Sequence, residues 1–122
     1  EVRDKLINIQ QNIIKNKNVV MDGRDIGTKV MPNAEIKLFI TADINIRAQR
    51  RFDEVKDTDS ELTFDQVLNN LRERDFDDEN RELNPLIKAS DCILFNNTSV
   101  TEEQQYHFIS DLIKTKKNIL CK

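Results

Sequence analysis

Apolar residues recur at Val2, Leu6, Ile9 and Ile13, at spacings of four, three and four residues. That period puts them on one side of an amphipathic helix running from Val2 to about Ile14. Asn18-Val19-Val20-Met21-Asp22 differs: a short β-branched run, closed by a carboxylate and then a glycine, predicts a buried strand opening into a loop. A second strand is predicted over Glu35-Ile36-Lys37-Leu38-Phe39-Ile40-Thr41 and a third from Asp91 to Phe95. Between them, Asp43 to about Val55 reads as a helix with Ile44, Ala48, Phe52 and Val55 on one face and Arg47, Arg50 and Arg51 on the other. Thr63 and Gln66 make a capping box around the start of Phe64, Val67, Leu68 and Leu71, so a further helix begins there. Ser99 and Glu102 repeat the pattern before a last helix, expected to bury Tyr106, Ile109, Leu112 and Ile113. Helix and strand alternate with no internal repeat, which predicts an α/β fold with a parallel sheet.

Composition changes this picture in one respect. At 122 residues the chain is about one small domain, yet only 38% of it is apolar and 34% is charged. Average soluble domains are roughly 45–50% apolar and roughly 25% charged, so the core is expected to be thin. The formal charge of −3 shows no basic excess, which argues against a nucleic-acid scaffold. No apolar run approaches roughly 18 residues and no export signal is present, so no membrane contact is expected. Cys92 and Cys121 make neither a zinc set nor a disulfide framework and are read as reduced thiols of a cytoplasmic protein. His107, the single histidine, has no ligand set beside it, so no metal site is expected. Residue 1 is Glu rather than Met, and the chain is read as a piece of something longer.

Two stretches carry candidate chemistry. Both glycines fall within Gly23-Arg24-Asp25-Ile26-Gly27-Thr28. Glycine permits tight backbone geometry and close ligand approach, and parallel sheets bind ligands at the carboxyl ends of their strands. Gly23–Thr28 and Asn96–Ser99 both lie at such predicted ends. An arginine held there suits an anion, because guanidinium pairs bidentately with phosphate oxygens. A surface ion pair of Arg24 with Asp25 or a neighbour fits the same residues. The second stretch is Arg74-Asp75-Phe76-Asp77-Asp78-Glu79-Asn80-Arg81. In a helix Arg74, Asp78 and Arg81 share a face, two cationic forks with a carboxylate between them. That set suits a nucleotide, and it equally suits a solvated, salt-bridged helix face.

Taken together, these residues resemble a known family. Asp22-Gly23-Arg24-Asp25-Ile26-Gly27-Thr28, followed by Pro32-Asn33-Ala34-Glu35, resembles the DGRDxGT…P-[DN]-A signature of cytidylate kinases. Arg47-Ala48-Gln49-Arg50-Arg51 is similar to the family's RAxRR helix, and Arg74-Asp75 through Asp78, Asn80-Arg81 and Pro85-Leu86 to its RDxxDxxR…PL segment. Val2-Arg3 resembles the VR that opens a helix of the family. The correspondence runs almost end to end, with several motifs in order at matched spacing.

The resemblance implies a P-loop nucleoside monophosphate kinase-like α/β fold, a three-layer parallel sheet, over residues 1–122. It implies transfer of the ATP γ-phosphoryl group, with Mg²⁺, to CMP or dCMP. Arg3, Arg24, Asp25, Arg74, Asp78 and Arg81 match the positions that surround the monophosphate. By that analogy Arg24 holds the phosphate, Arg3 and Arg81 read the cytosine, and Arg74 and Asp78 lie near the pentose. Arginine donors satisfy cytosine O2 and N3, whereas the protonated N3 of uracil leaves them mismatched. Arg47, Arg50 and Arg51 are the lid and ATP-side candidates. Asp77 stands where many relatives carry an arginine that neutralises charge between the nucleotides, and a carboxylate there repels phosphate.

The motif G-x-x-x-x-G-K-[ST] is not among these 122 residues. The sheet is therefore expected to be incomplete, lacking its central P-loop strand, with two unpaired strand edges. The missing N-terminal P-loop segment is the expected partner, no P-loop lysine is at hand for catalysis, and the chain alone is expected to be inactive and to bind no Mg²⁺. A non-catalytic CMP-binding or interaction module is the alternative, and a kinase of another monophosphate a third reading.

Overall fold

The structure, a computed structural model, describes residues 2–58, 61–82 and 86–120, with side chains through residue 116. Pro85 and Cys121, singled out in the sequence, lie outside the described residues. The elements are helix α1 (Val2–Ile14), a π-helical turn (Ile26–Val30), strand β1 (Leu38–Thr41), helices α2 (Ile44–Val55) and α3 (Phe64–Asn80), strand β2 (Ile93–Asn96) and helix α4 (Glu102–Leu120).

β1 and β2 form a two-stranded parallel sheet, with Leu38 opposite Ile93 and Thr41 opposite Asn96. The chain leaves β1, descends through α2 and α3 and returns into β2, the helical crossover that a parallel pair requires. The expected α/β class and parallel pairing are present. The strands are shorter than expected, starting at Leu38 rather than Glu35 and at Ile93 rather than Asp91.

Residues 18–22 are not a strand, contrary to the expectation for Asn18–Asp22. A strand exists only as part of a ladder, and among the described residues only β1 and β2 pair. Val20 is 97% exposed as a result. The β-branched run has the composition of a strand and no partner here.

One buried cluster joins α2 to α3. Ala48 of α2 packs on Val67 and Leu68 of α3, and Ile44, Phe52, Leu62, Phe64 and Leu71 close around them. Asp43 caps α2, its carboxylate accepting from Asn45 N and Ile46 N, and those bonds hold its carboxyl below the usual range. Thr63 and Gln66 form the reciprocal capping box at the start of α3 that the sequence predicts. Separately, Phe95 of β2 stacks on the exposed Phe108 of α4, with ring centroids 4.6 Å apart and planes 14° from parallel.

α4 departs from expectation at its start. Thr101 Oγ1 accepts from Gln104 N, and Gln104 Oε1 accepts from Thr101 N, so the box is Thr101–Gln104 and not Ser99–Glu102. Of the four residues expected to be buried, Tyr106 and Ile113 are exposed and Ile109 and Leu112 are half-buried, while Phe108 stacks on Phe95 of the sheet. Among the described residues the buried apolar set is Val30, Ala48, Val67, Leu68 and Phe95, and α1 exposes Val2, Leu6, Ile9 and Ile13. The thin core read from composition is present.

Candidate functional site

The glycine loop is positioned from two sides. Gln11 of α1 donates to Lys29 O at 3.1 Å and Val30 O at 3.3 Å, fixing the π-helical turn that follows Asp25. Within the turn Lys29 N donates to Asp25 O, and Met31 N to Ile26 O. Neither glycine has a positive φ. Gly23 is needed for space instead, because a Cβ there would lie 2.7 Å from Ile26 Cγ1. Because residues 18–22 are not a strand, this loop does not sit at a strand end as expected; α1 and α3 hold it.

The amino ends of the two strands are locked by Lys37. Its ammonium lies 2.7 Å from Asp91 Oδ2 and donates to Pro32 O, with the side chain only 7% exposed. The hydrogen bond from Lys37 holds the Asp91 carboxyl below its ordinary range. At the carboxyl ends, Asn97 N donates to Thr41 O and Asp43 N to Thr98 Oγ1. Arg50 of α2 reaches this loop, donating to Asn97 Oδ1 at 3.0 Å and Asn97 O at 2.8 Å, and Asn97 donates in turn to Gln105 Oε1 of α4.

α3 runs on past Leu71 as a polar helix. At about 100° per residue, Asp75 and Asp78 continue the side of α3 that carries Val67, Leu68 and Leu71 against α2. Arg24 Nε donates to Asp78 Oδ2 at 2.7 Å, and Arg81 Nη1 lies 3.6 Å from Asp78 Oδ1. Arg24 therefore pairs across the fold rather than with Asp25. Arg81 is not part of the helix as expected: α3 ends at Asn80, and Arg81 is its extended C-cap, still within reach of Asp78. One turn earlier, Arg47 donates to Asp75 through Nη1 at 3.0 Å and Nη2 at 2.5 Å, and through Nε to Ala42 O at 3.2 Å. The hydrogen bonds from Arg47, with the charges of Arg47, Arg74 and Arg24, hold the Asp75 carboxyl below its ordinary range, and the same bonds raise Arg47.

Of the expected site residues, the structure thus gathers Arg24, Asp78 and Arg81. Arg74 is exposed on α3, near enough to Asp75 for their charges to interact. Asp25 is half-buried in the turn, and Arg3 is exposed in the first turn of α1. The three arginines of α2 divide: Arg47 to Asp75, Arg50 to Asn97, and Arg51 to Glu54 in an exposed pair at 3.0 Å. Arg50 and Arg51 are exposed, and Arg47 is half-buried. Asp75 belongs to the RDxxDxxR match, and only its place three residues before Asp78 marks it. Asn97 falls in the Asn96–Ser99 stretch expected at a strand's carboxyl end, but nothing in the sequence marks its bond to Arg50. A shallow depression of about 430 Å³ lined by Arg72, Glu73, Phe76 and Asp77 lies on the opposite side of α3. Asp77 therefore faces away from the Arg24 cluster.

The sequence matches known proteins over most of its length. The family model for cytidylate kinase matches residues 1–115. The chain belongs to the cytidylate kinase family. It is 49% identical over 113 residues to the cytidylate kinase of Flavobacterium psychrophilum, covering 93% of this chain and 50% of that protein. The cytidylate kinase of Bacteroides thetaiotaomicron is 48% identical over 90% of this chain and 48% of its own. That of Fusobacterium nucleatum is 47% identical over 95% of this chain and 53% of its own. The chain spans about half the length of the curated cytidylate kinases it matches. The family carries the P-loop kinase fold, to which the parallel β1–β2 pair and its helical crossover belong. Among the described residues no helix is long and apolar enough to cross a membrane.

Proposed function

We propose that this chain supplies the monophosphate-binding and lid elements of a nucleoside monophosphate kinase that transfers the ATP γ-phosphoryl group to CMP or dCMP. The observation that carries this reading is the Arg24–Asp78–Arg81 cluster, which joins the GRD loop to the end of α3. Arg24 and Arg81 offer guanidinium donors to an anion and to cytosine acceptors, and Asp78 offers a carboxylate to pentose hydroxyls. Arg3, Asp25 and Arg74 complete the set by their match to the family motifs.

In the reaction an oxygen of the CMP phosphate attacks the γ-phosphorus of ATP. The bond to the β–γ bridging oxygen breaks, and ADP and CDP (or dCDP) result. Such transfer is positioning and charge neutralisation, and this chain contributes the acceptor side. Among the described residues no three His, Cys, Asp or Glu side chains gather as a metal site. Mg²⁺ and ATP belong to a P-loop segment outside this sequence, and a cytoplasmic location goes with that chemistry.

The test is to translate the coding DNA upstream of Glu1 in frame and to assay the complete product. A strand followed by G-x-x-x-x-G-K-[ST], with CDP formed from CMP and ATP, supports the kinase. A start codon close by with no such loop, and CMP binding without turnover, supports the non-catalytic binding module instead. Preference for UMP or AMP over CMP in competition overturns both.

A further inference from the structure

We propose that Arg47 and Asp75 are positioning residues of the monophosphate site. This rests on the reading of the Arg24–Asp78–Arg81 cluster just given. All three guanidinium nitrogens of Arg47 are engaged, Nη1 and Nη2 by Asp75 and Nε by Ala42 O. Three of its five N–H donors are thereby committed to Asp75 and to the Ala42 carbonyl, which holds the guanidinium in one orientation. The pair is bidentate and only about a third exposed on each side, the geometry in which an ion pair fixes direction as well as distance.

What it fixes follows from where the apolar contact stops. α2 and α3 pack through Ala48, Val67 and Leu68, and the last α3 side chain in that seam is Leu71. Beyond it the helix reads Arg72-Glu73-Arg74-Asp75-Phe76-Asp77-Asp78-Glu79-Asn80, and Phe76, its one apolar residue, is 67% exposed. The last turns of α3 carry Arg74 and Asp78 without apolar anchoring. Asp75 lies one turn past Leu71 and one turn before Asp78, and Arg47 ties it to Ala42 at the carboxyl end of β1. Leu86 N also donates to Asp78 O, but that bond joins the helix end to its own following chain and not to the sheet. Arg47–Asp75 is thus the tie that orients the site-bearing end of α3 against β1.

The experiment uses the product of the complete reading frame. Nε–H proton exchange of Arg24 by nuclear magnetic resonance reports its bond to Asp78, and methyl signals of Val67 and Leu68 report the core. CMP affinity is measured in parallel by calorimetry. Asp75→Asn and Arg47→Lys are expected to speed Arg24 Nε–H exchange and weaken CMP several-fold while the Val67 and Leu68 signals stay in place. The reciprocal double variant Arg47→Asp with Asp75→Arg is expected to restore both in part. Unchanged Arg24 exchange in the single variants overturns the proposal. So does loss of the core signals alongside Arg24 in both, which makes the pair merely structural. Failure of the wild-type protein to bind CMP overturns the functional reading alone, since the exchange measurement needs no ligand.

Discussion

Arg24 Nε lies 2.7 Å from Asp78 Oδ2, joining a glycine loop to a helix end far along the chain. Arg24 is 45% exposed and Asp78 15%, and a pair this open on the arginine side contributes about 1 kcal/mol to stability. The expected result of Arg24→Ala is therefore asymmetric. Urea unfolding shifts by no more than about 1 kcal/mol, while calorimetric CMP binding by the complete product is lost. Equal CMP affinity in wild type and Arg24→Ala would remove Arg24 from the site.

The α2–α3 seam is the opposite case. Leu68 is 9% exposed and touches the fully buried Ala48 across the helix pair. Leu68→Ala removes buried methyl groups and leaves a cavity, at a cost of about 2–5 kcal/mol. Whole domains are stable by only about 5–15 kcal/mol, and five apolar side chains are buried among the described residues. Leu68→Ala is expected to leave the chain largely unfolded at room temperature by far-ultraviolet circular dichroism. A melting curve superimposable on wild type would show that this seam does not hold the fold.

Periodicity made α1, α2 and α3 legible, because a helix is decided by its own residues: the spacing of Val2, Leu6 and Ile9, or the Thr63–Gln66 box. Strands are decided elsewhere. Val19 and Val20 have strand composition, yet among the described residues no ladder partner meets them, and local sequence cannot report a partner. The cluster was legible only in part for the same reason. Arg24, Asp78 and Arg81 were readable from motif resemblance. Arg47–Asp75 and Arg50–Asn97 join positions that only tertiary packing brings together.

The start of α4 gives a sharper test of local reading. Both Ser99 and Thr101 have cap chemistry with a Glu or Gln three residues on, but the bonds run between Thr101 and Gln104. Thr101→Ala is expected to cost about 1 kcal/mol, within the roughly 0.5–2 kcal/mol range for lost caps. Ser99→Ala should be near neutral in the same chemical denaturation series. The reverse order would return the helix start to Ser99.

The chain by itself is expected to turn over no CMP. Phosphoryl transfer needs a loop and a lysine at the β- and γ-phosphates, and no G-x-x-x-x-G-K-[ST] stands in these 122 residues. Exposed Val20, Ile40 and Leu94 also invite self-association. A coupled assay on the purified chain should read background, with light scattering rising with concentration. ATP-dependent CDP formation from this chain, abolished by Arg24→Ala, would overturn the expectation.

Acid should loosen the Arg47–Asp75 tie between α2 and α3. Hydrogen bonds from Arg47, and then the charges of Arg47, Arg74 and Arg24, lower the Asp75 carboxyl below the ordinary value of 3.8. A carboxyl whose folded value is depressed contributes stability that is full above its unfolded value and is lost as pH falls through the folded one. The contribution is therefore complete at neutral pH and disappears below 3.8. Asp91, lowered by its bond from Lys37, acts in the same direction at the other end of the sheet. Asp75→Asn cannot ionise, so its melting temperature should lie below wild type at neutral pH and converge on it in acid. Melting curves for the two proteins that stay parallel from neutral pH to below 3.8 would show that Asp75 titrates alike in the folded and unfolded chain.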